Sequence, residues 1–276
     1  MSIITLTTDF GLKDHFVGAL KGKLLSGYPE AVIVDISHHI DHFNISQASY
    51  VIGAAYSSFP AGTVHLVGVD AELSPENRHI AMLWNGHLFI CADNGILTLL
   101  TEKFVPEKIV EINIHDRLPD TANDMDVFAT VAAHLAKGGT LNVIGREISA
   151  IKEINDFHPV VAPDKSSIKG CVVYIDHFGN CITNITKQQV RDIGKGRDFE
   201  ITFGTKGQVK GIKRGYSDWT INERFPLKTY EGEKLALFNE AGFLEIAVFR
   251  SNPHTVGSAA TLLGLKFRDA VMVTFK

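Results

Sequence analysis

Ile3-Ile4-Thr5-Leu6-Thr7-Thr8-Asp9-Phe10-Gly11 opens the chain as a short β-branched run that breaks at an acid and a glycine. β-Branched side chains favour a packed, extended backbone, so the run predicts a strand with Asp9 at its carboxyl end. Apolar residues then fall at Phe16, Val17, Leu20, Leu24 and Leu25, close to helical spacing. Ala31 to Ile36 is a continuous apolar run of strand length, and Ile45 to Phe59 reads as a helix stopped by Pro60. Thr63 to Val69 is a second buried-type strand and ends at Asp70. His79 to Trp84 and His87 to Cys91 flank Asn85-Gly86, a strong hairpin signal. Ile109 to Ile114 predicts another strand, and Val127 to Lys137 a helix ended by Gly138-Gly139. This alternation predicts an α/β domain over residues 1–160 with a central, mostly parallel sheet.

The pattern changes near residue 158. His158-Pro159 and Ala162-Pro163 bracket an expected linker. Short strands follow at Ser167 to Ile175, Phe199 to Phe203, Lys234 to Phe238, Leu244 to Phe249 and Ala270 to Phe275, with Gly232 and Gly242 among the turns. A smaller, mostly β, barrel-like domain is predicted over residues 165–276. The length of 276 residues agrees with two domains at about 150 residues each.

Apolar residues make up 45% of the chain and charged residues 21%, enough for a sizeable core. The net charge of -4 argues against nucleic acid as a partner, because phosphate binding usually needs a basic face. No apolar run is long enough to span a membrane, and Met1 to Leu6 reads as a strand rather than a signal peptide. Cys91, Cys171 and Cys181 are far apart and odd in number, which fits a reducing compartment and a cytoplasmic protein.

Ligands of open α/β sheets bind beyond the carboxyl ends of strands, where Asp9, Asp35 and Asp70 are expected. Such carboxylates accept hydrogen bonds from a ribose diol or orient a nucleophile; each could equally cap the next helix or turn. Tyr174-Ile175-Asp176-His177-Phe178-Gly179-Asn180 runs a strand into a turn carrying an acid, an aromatic and an amide. Phe178 could stack on a base while Asn180 reads its polar edge, or the segment is simply a tight turn with a buried Phe. In His38-His39-x-x-His42 a helix would put His38 and His42 on one face, but the segment reads equally as a loop, no glutamate completes a zinc motif, and no metal is expected. Phosphate loops, serine elbows and dinucleotide glycine fingerprints are absent.

Taken in order along the chain, several segments resemble one family, the adenosine-forming S-adenosylmethionine hydrolases related to the fluorinating and chlorinating enzymes. They are Thr7-Thr8-Asp9-Phe10-Gly11-Leu12-Lys13-Asp14, Val34-Asp35-Ile36-Ser37-His38, Phe59-Pro60-Ala61-Gly62-Thr63-Val64, Val69-Asp70 and Ala92-Asp93-Asn94-Gly95-Ile96-Leu97-Thr98. Further on come Asp126-Val127-Phe128-Ala129, the Asp176 to Ile185 stretch and Phe238-Asn239-Glu240-Ala241-Gly242-Phe243-Leu244-Glu245-Ile246-Ala247-Val248. The resemblance implies a homotrimer whose nucleoside ligand lies between the N-terminal domain of one subunit and the C-terminal domain of the next. It implies that Asp9 accepts the ribose diol and that Asp14 and Phe43 line the same pocket. It pairs Asp176 with the methionine amine and Phe178 and Asn180 with adenine, and it places Glu240 and Val248 among the ligand contacts. No cofactor is implied beyond S-adenosylmethionine itself, as substrate or ligand.

The implied catalytic positions differ. The hydrolases resemble Asp-Pro-Gly-Val-Gly-x-x-Arg-Arg followed later by Phe-His-Gly-Arg-Asp. Here Asp70 is kept, Asn77 stands at the first arginine, Arg78 matches the second, and Asn123 stands where histidine is expected. Asp124 replaces a glycine and adds a carboxylate, which disfavours a halide by charge repulsion. Asp70 could still take a proton from attacking water, with Arg78 or His79 reaching in from adjacent positions. The leading expectation is hydrolysis of S-adenosylmethionine to adenosine and L-methionine. The alternatives are a binding protein of the same fold with lost or altered catalysis, and action on a related nucleoside; halogenation ranks last.

Overall fold

In the computed structural model, which describes residues 2–101, 105–154, 158–204 and 207–276, the opening run becomes a strand buried along almost its whole length. The chain divides into two units, Met1–Ile154 and Asn155–Lys276. The first unit contains β1 (Ile3–Thr8), α1 (Phe16–Gly27), β2 (Val32–Ser37), α2 (Ile45–Ala55), β3 (Val64–Gly68), β4 (His79–Trp84) and β5 (His87–Ala92). It continues with α3 (Ile96–Thr101), β6 (Lys108–Ile112), α4 (Asp124–Ala136), α5 (Leu141–Ile144) and β7 (Gly145–Glu147). The sheet order is β2-β1-β3-β5-β4-β6-β7. β2, β1, β3 and β5 pair in parallel, while β4 and β7 run against their neighbours, so the sheet is mostly parallel in direction.

Alternating side chains send the sheet into two separate cores. Ile4, Leu6, Leu66 and Ile90 pack with Leu20 and Leu24 of α1 and Phe128 and Val131 of α4. Val67, Phe89 and Cys91 face the other way, onto Ala48 and Ile52 of α2 and Ile96 of α3. Helices on both faces explain why the central strands read as unbroken apolar runs. No described helix is long and apolar enough to cross a membrane.

The second unit contains β8 (Val160–Val161), β9 (Ser167–Ile175), β10 (Cys181–Thr186), α6 (Lys187–Gly194), β11 (Phe199–Phe203) and β12 (Gly207–Lys210). β13 (Lys234–Phe238), β14 (Phe243–Val248), α7 (Ala259–Leu263) and β15 (Ala270–Phe275) complete it. Its strands run antiparallel in the order β12-β11-β15-β9-β10-β14-β13. Just past β12, the Lys213 N–H donates to the Ala236 carbonyl at 2.8 Å and Lys213 bridges to Leu237, which nearly closes the sheet into a barrel. Ile168, Val172, Ile201, Ile246 and Val273 fill its interior.

The expected elements shift in several places. The helix read as Ile45 to Phe59 ends at Ala55 and tightens into a short turn over Tyr56–Ser58. α4 starts at Asp124, not Val127, because Asn123 caps it. The expected linker carries β8, which pairs with β9; the adjoining residues 155–157 lie outside the described residues.

His65 on β3 is wholly buried. Its Nδ1 lies 2.7 Å from Thr5 Oγ1, its Nε2 3.1 Å from His87 Nδ1, and its ring stacks on Phe89 at 4.8 Å. Burial, with the His87 ring adding to it, pushes the His65 pKa down to about 3. The unfolded chain therefore binds a proton near the ordinary value of about 6.5 that the folded chain refuses until far lower pH. Stability must fall as pH drops below about 6.5, by about 1.4 kcal/mol per pH unit from this residue. Burial also lowers the His79 and His87 pKa values, so urea unfolding between about pH 6.5 and about pH 5 is expected to show at least that slope, and His65→Gln is expected to reduce it; an equal slope in both proteins contradicts the assignment.

Candidate active site

The parallel register sets the site. Thr8 of β1 lies beside Gly68 of β3, so Asp9 and Val69-Asp70 leave adjacent strands side by side. The Phe43 N–H donates to Asp9 Oδ2 at 3.0 Å, which brings these two expected ligand residues together. Phe43 holds a positive φ of 60°, a costly conformation for a bulky side chain, and its ring is exposed. Asp14 is exposed in the segment leading into α1. His38 is buried, with Nδ1 2.7 Å from Thr8 Oγ1, so it fastens the end of β2 to that of β1. His39 and His42 are exposed, and no metal-holding group forms among the described residues. Asp35 corrects an expectation, because it lies inside β2 rather than at its end. Partial burial works against its ionised form, yet Lys21 at 2.6 Å and His38 hold its carboxyl below the usual range. Its role is local.

Asp70 follows β3 with φ at 46°, left-handed backbone that Asp tolerates better than most residues. The buried Asn94 amide donates to both the Val69 and the Asp70 carbonyls, each at 3.0 Å. Next along the loop, His79 Nε2 lies 2.9 Å from the Ala71 carbonyl and His79 Nδ1 lies 3.1 Å from His115 Nε2. Burial lowers the His79 pKa, so the ring is neutral near neutral pH. A carbonyl only accepts, which assigns the proton to Nε2 and makes Nδ1 the acceptor from His115. Two residues on, the Leu73 N–H donates to Asp124 Oδ2 at 3.3 Å. The loop after Asp70 is thus tied down at three successive points, and Asp124 spends an oxygen on one of them.

The other residues expected at the catalytic positions are engaged elsewhere. Asn77 sits in a turn with Ser74, and its Oδ1 accepts from Lys152 Nζ at 3.2 Å. Arg78 donates from Nε to the buried Asp93 at 2.9 Å and from Nη2 to the Ala150 carbonyl at 2.7 Å. Asn123 accepts the Met125 and Asp126 N–H groups at 3.0 and 3.2 Å, and Asp126 returns the bond to Asn123 N at 2.9 Å. That reciprocal cap starts α4. Asn123 and Asp124 nevertheless border a cleft of about 460 Å³ shared with Phe10, Phe16, Ala71 and Glu72. The sequence reading missed Glu72, which stands two places after Asp70 and left only that spacing as a clue.

In the second unit the Asp176–Asn180 turn folds back on itself. The Asn180 backbone N–H donates to Asp176 Oδ1 at 2.8 Å and its side chain to Oδ2 at 3.0 Å. Gly179 has φ at 75°, and a Cβ there would lie 2.2 Å from Ser258, so the position requires glycine. Phe178 is 66% exposed rather than buried, which favours the stacking reading over the buried-turn one. Cys181 pairs with Ile246, so Val248 lies toward the same end of β14 as this turn. Glu240 does not: its turn adjoins Lys187 at the opposite end of β10. Tyr216 and Glu245, which the sequence reading passed over, join the Asn180 side instead.

Comparisons with known proteins match both units of the chain to one family. The family described as SAM hydroxide adenosyltransferase N-terminal domain matches residues 4–145, and its C-terminal counterpart matches residues 170–272. A (R)-S-adenosyl-L-methionine hydrolase of Methanocaldococcus jannaschii is 31% identical over 284 residues, covering 100% of this chain and 97% of the relative. A fluorinase of Nocardia brasiliensis is 28% identical, covering 75% of this chain and 77% of its own. The crystal structure of a conserved protein from Thermotoga maritima superposes with a TM-score of 0.81 at 30% identity, covering 99% of this chain and 100% of that one.

The Arg78 contacts carry a direct test. Removing the guanidinium leaves Asp93 buried and without its ion pair, so Arg78→Ala is expected to lose about 3 kcal/mol of stability in urea unfolding. Unchanged stability would show that the arginine is free for other work.

Proposed function

The chain belongs to the SAM hydroxide adenosyltransferase family, and from that membership we propose that it hydrolyses S-adenosyl-L-methionine to adenosine and L-methionine. The observation that carries this reading is Asp70, fixed in left-handed backbone by Asn94 beside the strand end that bears Asp9. The sulfonium makes methionine a good leaving group. A water oxygen forms a bond to the 5'-carbon, the carbon–sulfur bond breaks with its electron pair going to sulfur, and the water proton passes to Asp70. The products are adenosine, methionine and one proton. Most of the work is then to hold and desolvate water in line with the breaking bond. The clamps on the loop after Asp70 support that role.

In this reading Asp9 accepts the ribose diol, with Asp14 and Phe43 beside it. Asp176 takes the methionine amine, and Phe178 and Asn180 take adenine. We further infer a homotrimer in the cytoplasm with the ligand at the subunit interface. Its support is that Leu12, Phe16 and Phe43 near Asp9, and Phe178 near Asn180, leave large apolar groups in water. The free cysteines Cys91, Cys171 and Cys181 fit a reducing compartment.

Adenosine release from S-adenosylmethionine, followed by chromatography, tests the activity. Asp70→Asn is expected to slow it on the order of 100-fold or more with binding retained, the usual worth of a general base. Asp9→Ala is expected to weaken binding about tenfold or more, the cost of a hydrogen bond to a charged group. Tight binding by the wild-type protein with no release above background would refute hydrolysis. Solution scattering is expected to give the mass of three chains, and the mass of one chain would refute the trimer.

A further inference from the structure

Asn180 can present either its oxygen or its nitrogen to a ligand, and the surrounding network decides which. Its Nδ2 lies 3.0 Å from Asp176 Oδ2 and 3.4 Å from the Tyr216 hydroxyl. A carboxylate only accepts, so the nitrogen must face Asp176; a flipped amide would set two acceptors against each other. The Tyr216 hydroxyl donates to Glu245 Oε1 at 2.5 Å, which leaves its oxygen lone pairs to receive the second amide hydrogen of Asn180. Glu245 is only 3% exposed on β14, opposite Ile182 of β10 and Leu237 of β13. Both amide hydrogens are thereby used, and no described residue donates to Asn180 Oδ1.

We propose that Tyr216 and Glu245 are positioning residues that lock the Asn180 amide with its oxygen outward, so that the site selects a purine bearing an exocyclic amine over one bearing a carbonyl there. The inference rests on the reading above that Asn180 meets the base. An amine donates to the outward oxygen, whereas a carbonyl would oppose it acceptor to acceptor. Without the tyrosine hydroxyl, one amide hydrogen loses its partner and the amide is held by Asp176 alone. Burial of Glu245 raises its pKa; the Tyr216 bond opposes that rise and the Asp176 charge adds to it. Its place is therefore held by the hydroxyl it accepts from.

Calorimetric binding of adenosine and inosine to the full-length protein tests this without requiring turnover. The wild type is expected to prefer adenosine on the order of 100-fold, as sites with committed polar groups do. Tyr216→Phe is expected to shrink that preference about tenfold, the worth of one hydrogen bond. Glu245→Gln keeps an acceptor for the tyrosine and is expected to preserve the preference, while Glu245→Ala reproduces the Tyr216→Phe loss from the far end of the chain. In turnover assays Tyr216→Phe should raise KM with kcat held within about twofold, a loss of uniform binding. Equal affinity of the wild type for the two nucleosides, or an unchanged ratio in Tyr216→Phe and Glu245→Ala, would overturn the proposal. A protein that discriminates the nucleosides but releases no adenosine from S-adenosylmethionine upholds it and refutes hydrolysis alone.

Discussion

One side-chain amide, that of Asn94, donates to two consecutive carbonyls, Val69 and Asp70, as the chain leaves the middle of the sheet. The same residue accepts the Ile96 N–H at 3.3 Å and so starts α3. A backbone carbonyl with no partner at this depth would carry a desolvation cost, and a non-glycine residue at positive φ adds strain. Asn94 offsets both. The strand end, the left-handed residue and the next helix become one rigid corner, and Asp70 sits on it. Preorganisation of this kind is what a water-positioning site requires, because a carboxylate free to wander gains little from proximity.

Around that corner the residues that the resemblance placed beside Asp70 are bonded elsewhere. The resemblance implies an arginine and a histidine beside the aspartate. Here Asn77 is bound by Lys152, Arg78 by Asp93, and Asn123 caps α4. Asp124 and His79 instead surround the loop after Asp70, with a neutral imidazole relaying hydrogen bonds between Ala71 and His115. The loop is thus held by uncharged donors and one carboxylate rather than by cations.

The fold was legible because burial writes itself into composition. β1 and β3 are covered on both faces and read as apolar runs; the Asn85-Gly86 turn announced the β4–β5 hairpin. What escaped was governed by capping. α4 begins three residues early because Asn123 and Asp126 form a reciprocal cap at its start, and α6 begins at Lys187 because Thr186 caps it through the same arrangement with Gln189. A Thr-x-x-Gln pattern was visible for the latter, and Asn123 with Asp126 three residues on carried the same kind of signal, although the reading took Asn123 as a catalytic position. The site was half legible. Strand-end position marked Asp9 and Asp70, but Asp35 lay one pleat inside β2, and a run of letters does not show which way a strand end points. Tyr216 and Glu245 were hidden because they reach Asn180 across long sequence separations, through contacts that only the folded second unit creates.

The central claim is that water attacks the 5'-carbon of the adenosyl group at Asp70. Turnover of S-adenosylmethionine in water enriched in a heavy oxygen isotope, read by mass spectrometry of both products, addresses it most directly. The account requires the heavy atom in the 5'-hydroxyl of adenosine and none in methionine. Heavy oxygen in any other product, or adenosine formed without it, would contradict the account.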